Sequence, residues 1–170
     1  VLIIALFERI QPSHASWNRS REDVRTDFTH AMVSMVALPK LLEVVQTVGL
    51  LSLAIALTEM VGGTLWPHEW ALFPQLILAM LISQFGEYWA HRCMHEIPFL
   101  WRLHATHHSP ERLYWLNAAR FHPFDTAVGY TIATFPLILL GADADMLLLY
   151  SIWVAVHGMF QHCNIDIKLG

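Results

Sequence analysis

The sequence has little charge for its length, and this scarcity excludes several classes of protein. Only 14% of the 170 residues are charged, whereas 55% are hydrophobic and the mean hydropathy is positive. Soluble domains carry about 25% charged residues. The net charge of −4, without a basic stripe, gives no electrostatic reason to expect nucleic acid as a partner. The composition therefore predicts a membrane protein.

Cysteine and cofactor-binding motifs are also scarce. Cys93 and Cys163 are far apart in the sequence and form no CxxC pair, so we expect no disulfide. The sequence contains no GxGxxG or flavin motif. Any redox chemistry would therefore take its electrons from a separate protein.

Several apolar runs separated by short breaks predict membrane helices. Residues 1–7 have no initiator Met and no positive segment, so they predict the end of a span in a longer chain. Residues 41–61 are long enough to cross a bilayer. The run 72–85 continues as a helix until Pro98 stops it. Two shorter runs, at 128–140 and 146–160, predict a helical hairpin that dips into the membrane.

The basic residues provide an independent prediction of topology. All ten Lys and Arg, including Lys40 and Lys168, fall within residues 8–40, 91–126 and 161–170, and the turns at 62–70 and 141–145 have none. This asymmetry predicts that the first set of segments is cytoplasmic. We therefore predict an all-α fold: a multi-pass membrane helical bundle, forming one domain over 1–170, with a histidine-rich cap on the cytosolic side of a bacterial inner membrane or endoplasmic reticulum.

Seven of the eleven histidines stand in three groups, each just past an apolar run. Imidazole is the most versatile neutral metal ligand in proteins. His91 and His95 are four residues apart, so their side chains share a helix face with about 5–6 Å between Cβ atoms. In the second group, His104, His107 and His108 stand at spacings of three and four, with one adjacent ring turned aside by about 100°. So many rings predict two metal ions at the membrane surface.

The third group is less regular. His157 and His162 are five residues apart, so either a π-bulge aligns them or only one coordinates. His162 is the preferred ligand, because His157 lies deeper in the apolar run and fits a hydrogen-bonded core histidine equally well. Glu87, one turn before His91, is either a carboxylate that supports a ligand or a solvated side chain. His122 precedes a proline, and we expect a structural or supporting role for it.

A different class of protein also fits the histidines. A membrane zinc- or haem-binding protein, such as a transporter or a metal-dependent hydrolase, remains the alternative. Haem needs one or two axial histidines, and zinc hydrolysis needs about three ligands with a general base. Six or seven clustered rings are more than either requires.

The motifs, taken together, resemble a known family. They are His91-x3-His95, His104-x2-His107-His108 with the run to Asn117, Arg120-x-His122-Pro123, and Phe160-Gln161-His162-Cys163-Asn164. Over residues 19–170 they are similar to the fatty acid hydroxylase and sterol desaturase superfamily of integral membrane, non-haem di-iron enzymes. Any one of the motifs alone would be weak, and their specificity lies in the combination.

The resemblance implies a function and a set of site residues. It implies two iron ions, with dioxygen as co-substrate. The implied reaction is hydroxylation or desaturation of a fatty acyl or sterol-like lipid taken from the bilayer. The implied electron donor is external, a reductase with a ferredoxin or a small haem protein. It implies no catalytic residues beyond the metal site. The family also has a final HxxHH box, absent from residues 1–170, so we expect a fragment. The implied ligands are His91, His95, His104, His107, His108, His162 and, with less support, His157, with Glu87, His122 and Asn164 beside them.

Overall fold

The computed structural model describes residues 1–167, except for the side chains of residues 47, 50–52 and 54, so Lys168 lies outside the described residues. The all-α prediction is confirmed: the described residues form helices and no strand, with one isolated bridge between Pro12 and Ile165. The helices are α1 (Leu2–Ile10), α2 (Val24–Ala31), α3 (Leu38–Val61), α4 (Leu72–Glu96), α5 (Pro98–His104), α6 (Pro123–Leu140) and α7 (Ala144–Gln161), with 3-10 turns at Ala15–Asn18 and Trp115–Ala119.

Helices α2 and α3 form one continuous rod, because a π-helical segment, Met32–Ala37, joins them. The cause is Pro39, which has no backbone N–H to offer the preceding turn. The wider π turn accommodates this missing donor without ending the helix. The rod therefore begins at Val24 and ends at Val61. It starts well before residue 41, where the predicted span begins.

Helices α4 and α6 pack closely at a glycine. A Cβ built on Gly86 would lie 2.7 Å from the Ile132 side chain and 3.5 Å from the Ile132 carbonyl oxygen. That carbonyl has lost its usual helical donor, because Pro136 stands four residues later. One turn away, the buried Ser83 hydroxyl donates to the Ala133 carbonyl at 2.7 Å. Small residues thus bring α4 against the kinked middle of α6.

A polar contact joins α3 to α6 within otherwise apolar surfaces. The Gln46 amide donates to the Thr131 hydroxyl at 3.0 Å, and the Thr134 hydroxyl donates to Gln46 Oε1 at 2.9 Å. Hydrogen bonds between helices stabilise membrane bundles, because lipid chains offer no competing hydrogen-bond partner.

The bundle has two distinct ends. At one end the turns after α3 and α6 meet, since Gly141 lies against Thr64 and the His68 ring is 3.7 Å from the Asp143 carboxylate. The segments with the histidine groups lie at the opposite end, where α4 and α7 finish and α6 begins. The lysine and arginine residues of the described chain are therefore separated from the two turns, as the sequence predicts.

The outer surface is apolar enough for lipid. On α4, Phe73 and Phe85 expose 71% and 70% of their side chains. Within the described residues, two helical segments, Val24–Gln46 and Pro123–Leu140, are long and apolar enough to cross a membrane. The two shorter apolar runs lie within α6 and α7, which have 18 residues each, about 27 Å at 1.5 Å per residue. Of the two helices, α6 is long and apolar enough to cross a membrane, which differs from the predicted shallow entry, whereas for α7 the shallow entry stays a prediction.

The α4–α6 contact predicts a strong effect of a larger residue at Gly86. Gly86→Val should separate the two helices, because its methyl groups would overlap Ile132, and should lower the melting temperature in detergent by several degrees. Gly129→Ala is the matched control, since nothing lies within 4 Å of its Cβ position and alanine favours helix. Equal melting temperatures for Gly86→Val and wild type would contradict this packing.

Candidate metal centre

Four histidines form a compact group, here called the ring cluster: His91, His95, His104 and His108. The last turns of α4 carry the first two rings, and the end of α5 with the following turn carries the others. One nitrogen from each ring lies within 4.8 Å of the other three. The Nε2 atom of His95 is 3.0 Å from that of His91, and His108 Nε2 is 3.2 Å from both His95 and His104.

Two further rings form the ring pair: His107 and His162. Their Nε2 atoms are 3.2 Å apart, although the residues come from the turn after α5 and the end of α7. The sequence predicts that one of the adjacent rings is turned aside without deciding which, and in the structure it is His107, on which Phe121 stacks flat at 4.1 Å. The ring pair adjoins the ring cluster, because the His107 and His108 centroids are 5.2 Å apart.

Asp125 is a site residue that sequence reasoning missed. Its Oδ2 atom lies 2.7 Å from His104 Nδ1, and both side chains are buried. A carboxylate in this position holds the proton on Nδ1 and leaves the Nε2 lone pair directed at the ring cluster. One feature of the sequence could have identified Asp125: it stands two residues after Pro123. A proline commonly begins a helix, so Asp125 falls in the first turn of α6.

Two ion pairs, each with one buried and one partly buried side chain, fasten the segment between the second histidine group and α6 to the start of α2. The Arg112 guanidinium donates to both oxygens of Asp23, at 2.6 and 2.9 Å, and this side-chain bonding lowers the pKa of Asp23 to about 2. Asp27 is fully buried and accepts from the Tyr114 hydroxyl at 2.7 Å and from Arg120. These contacts fix the backbone that carries Phe121 against His107.

Glu8 fastens three parts of the chain at the same end. Its Oε1 accepts from the backbone N–H groups of Trp115 and Asn164, each at 2.8 Å. Asn164 is buried and also exchanges hydrogen bonds with the His14 backbone, each 2.9 Å long. Asn164 thus supports His162 by fixing the loop after α7 and touches none of the rings directly.

The remaining predicted residues lie outside the two groups of rings. His157 stacks on Trp153 at 4.6 Å, and α7 is a regular helix there, so His162 meets the other rings and His157 does not. His122 Nδ1 accepts from the Phe124 N–H and caps α6. Glu87 accepts a hydrogen bond from Gln84 and does not contact the ring cluster.

Burial and crowding favour the neutral form of His107 and His108. Burial, with the neighbouring rings of His162, His108 and His104, lowers the pKa of His107 to about 3. Burial and the adjacent rings also lower the pKa of His108. A neutral imidazole is the form that binds a metal, so the site favours the protonation state that coordination needs.

An all-helical, apolar bundle with a cluster of histidine rings at one end is typical of a class of membrane proteins whose histidines could hold a metal ion. The chain belongs to the fatty acid hydroxylase family, whose model matches residues 76–170. It is similar to the ornithine lipid hydroxylase OlsE of Rhizobium tropici, with 34% identity over all of this chain and 52% of that protein.

A second relative comes from a plant. The chain is 34% identical to the "Putative Delta(7)-sterol-C5(6)-desaturase 2" of Arabidopsis thaliana, over 61% of this chain and 40% of that protein. The chain therefore spans about half or less of the length of these curated relatives. No solved structure matches.

Asp125 should control metal retention through His104. Asp125→Asn should weaken metal affinity about 10- to 100-fold, because the amide no longer fixes the His104 tautomer. The measurement is the metal content of the protein after dialysis against increasing concentrations of a chelator. Circular dichroism verifies that the variant is folded. Asp145→Asn is the control, since Asp145 occupies the equivalent first turn of α7 and is exposed. If Asp125→Asn and wild type lose half of their metal at the same chelator concentration, the role of Asp125 is contradicted.

Asp27 should be a major source of stability at this end of the bundle. Asp27→Asn leaves Arg120 buried beside a neutral group, so the unfolding free energy should fall by about 3–5 kcal/mol. Denaturant unfolding in detergent measures this change, and trypsin should cleave faster after Arg120. Glu22→Gln is the control, because Glu22 is an exposed carboxylate just before α2 and its substitution should have little effect. Similar stability losses in both variants would refute the assignment.

Proposed function

We propose that this chain carries the metal centre of a membrane-bound, non-haem di-iron enzyme that uses dioxygen to hydroxylate or desaturate a lipid C–H bond. The observation that carries the proposal is the meeting of six imidazoles, from three separate sequence groups, at one end of an apolar bundle. Membership of the fatty acid hydroxylase family supports an iron-dependent oxygenase acting on lipid.

The ring cluster fits a first metal ion. With metal–nitrogen bonds of about 2.1 Å, ligands at right angles lie about 3.0 Å apart and tetrahedral ligands about 3.4 Å apart. The three close contacts in the cluster, at 3.0, 3.2 and 3.2 Å, lie between these two values, so the ring nitrogens are as close as the ligands of one ion. The choice of iron rests on membership of the fatty acid hydroxylase family. We propose His91, His95, His104 and His108 as its ligands.

The ring pair is the proposed place of the second ion. His107 and His162 offer two nitrogens and leave coordination positions open for dioxygen, water or further side chains. Of the proposed ligands, His157 has the least support because its ring is stacked on Trp153.

The described residues have separate tasks in the proposed reaction. A pair of irons with dioxygen supplies the oxidising power that C–H cleavage needs. Asp125 holds the proton on His104 Nδ1, and Phe121 fixes the plane of His107. The apolar helices hold the lipid chain and exclude water. Electrons come from a separate donor, which we place on the cytosolic side with the basic segments.

Metal analysis of the full-length protein tests the proposal. We expect about two irons per chain after purification from membranes, with lower iron content and no lipid oxidation in His107→Ala and His108→Ala. His68→Ala should keep its iron, because His68 lies at the opposite end of the bundle. Mass spectrometry of cell lipids, with and without the protein, identifies the product. Stoichiometric zinc or haem, or full activity with intact iron in His107→Ala, would refute the proposal.

A further inference from the structure

Glu87 places an ionisable group at the middle depth of the apolar bundle. Its neighbour Gly86 packs on Ile132, halfway along α6, whose bounds are Pro123–Leu140. The side chains of Leu81 and Phe85, on the same helix, are 66% and 70% exposed. Ionisable residues within a membrane segment are expensive and mark sites of function.

No described cationic side chain pairs with Glu87. Its only hydrogen bond with a described residue comes from Gln84 Nε2 at 2.5 Å, on the same helix. None of the ion pairs among the described side chains involves Glu87, and the carboxylate that supports the rings is Asp125. An unpaired carboxylate in apolar surroundings is costly, and a cationic partner would remove that cost.

A second unsatisfied group faces the same place from α7. Tyr150 is 2% exposed, and its hydroxyl lies beside Ser83 and Gln84 and within electrostatic range of Glu87. That hydroxyl makes no hydrogen bond of normal geometry within the described part of the chain. Buried polar groups almost always have a partner, so this hydroxyl can accept a donor that a bound ligand supplies. Carboxylate, carboxamide and hydroxyl oxygens therefore converge between α4 and α7.

We propose that Glu87, Gln84 and Tyr150 form a subsite that binds a cationic amino group of the lipid substrate. The subsite offers oxygen acceptors and a negative charge, and an ammonium group offers three donors and a positive charge. Glu87 and His91 share a helix face with about 5–6 Å between their Cβ atoms. The carbons next to a bound amine therefore reach the ring cluster. The inference rests on the proposed function, since it names the substrate class for that site.

Competition binding tests the subsite without requiring turnover. The full-length protein, in nanodiscs of phosphatidylcholine, is given equal amounts of ornithine lipid and its N-acetylated form, and native mass spectrometry measures the ratio bound. We expect wild type to prefer the amine-bearing lipid about tenfold or more, as for a charged hydrogen bond. Glu87→Gln should lose this preference, whereas Glu69→Gln, in the turn at the other end, should keep it. No preference in wild type, or the same preference in Glu87→Gln, would overturn the proposal.

Steady-state kinetics separate substrate binding from proton delivery. Glu87→Gln should raise KM for the amine-bearing lipid and lower kcat/KM for it about tenfold more than for the N-acetylated lipid. An equal fall in kcat for both lipids with unchanged KM would instead indicate a proton path and overturn the subsite. If wild type binds no iron and oxidises no lipid, the proposed function fails, and the binding ratio still decides the role of Glu87.

Discussion

Buried carboxylates hold together the end of the bundle where the rings meet. The ring-bearing segment between α4 and α6 lacks a long helix of its own, since α5 has only seven residues and the stretch from 105 to 122 is mostly irregular. Asp23 and Asp27 join this stretch to the start of α2 through arginine and tyrosine donors, and Glu8 joins it to α1 through a backbone donor. Breaking one buried pair leaves the partner charge without compensation, so these contacts act together. The position of every ring after α4 depends on them.

The sequence predicted the ring contacts well wherever helical spacing alone decides them. The spacing of four correctly predicted that His91 and His95 meet. It also predicted that one of the adjacent rings turns aside, and the structure shows that this ring is His107. The five-residue spacing left His157 and His162 open, and the regular α7 places only His162 among the rings. The role of Asp125 could not be predicted, because its contact with His104 spans 21 residues and depends on how α5 packs against α6.

The helix lengths show a different limit of sequence reasoning. The count of apolar residues predicted that the helix begins at residue 128. In the structure α6 begins five residues earlier, at Pro123, with His122 as its cap. The same count placed the first complete span at 41–61, whereas the rod starts at Val24, because its first turns carry the polar side chains that bind Arg112, Tyr114 and Arg120. Hydropathy detects the lipid-facing part of a helix and misses turns whose polar groups are satisfied by tertiary contacts.

The order of assembly follows from how the end of the bundle is fastened. In zinc fingers the metal organises the fold, whereas here arginine–carboxylate pairs and backbone hydrogen bonds connect the segments through groups that do not bind metal. Insertion and folding can therefore precede binding of the proposed metal ions, since the rings of His91, His95 and His108 are exposed and open to an arriving ion. For the proposed enzyme, the supply of metal would then regulate how much of the folded protein is active without deciding how much of it is made.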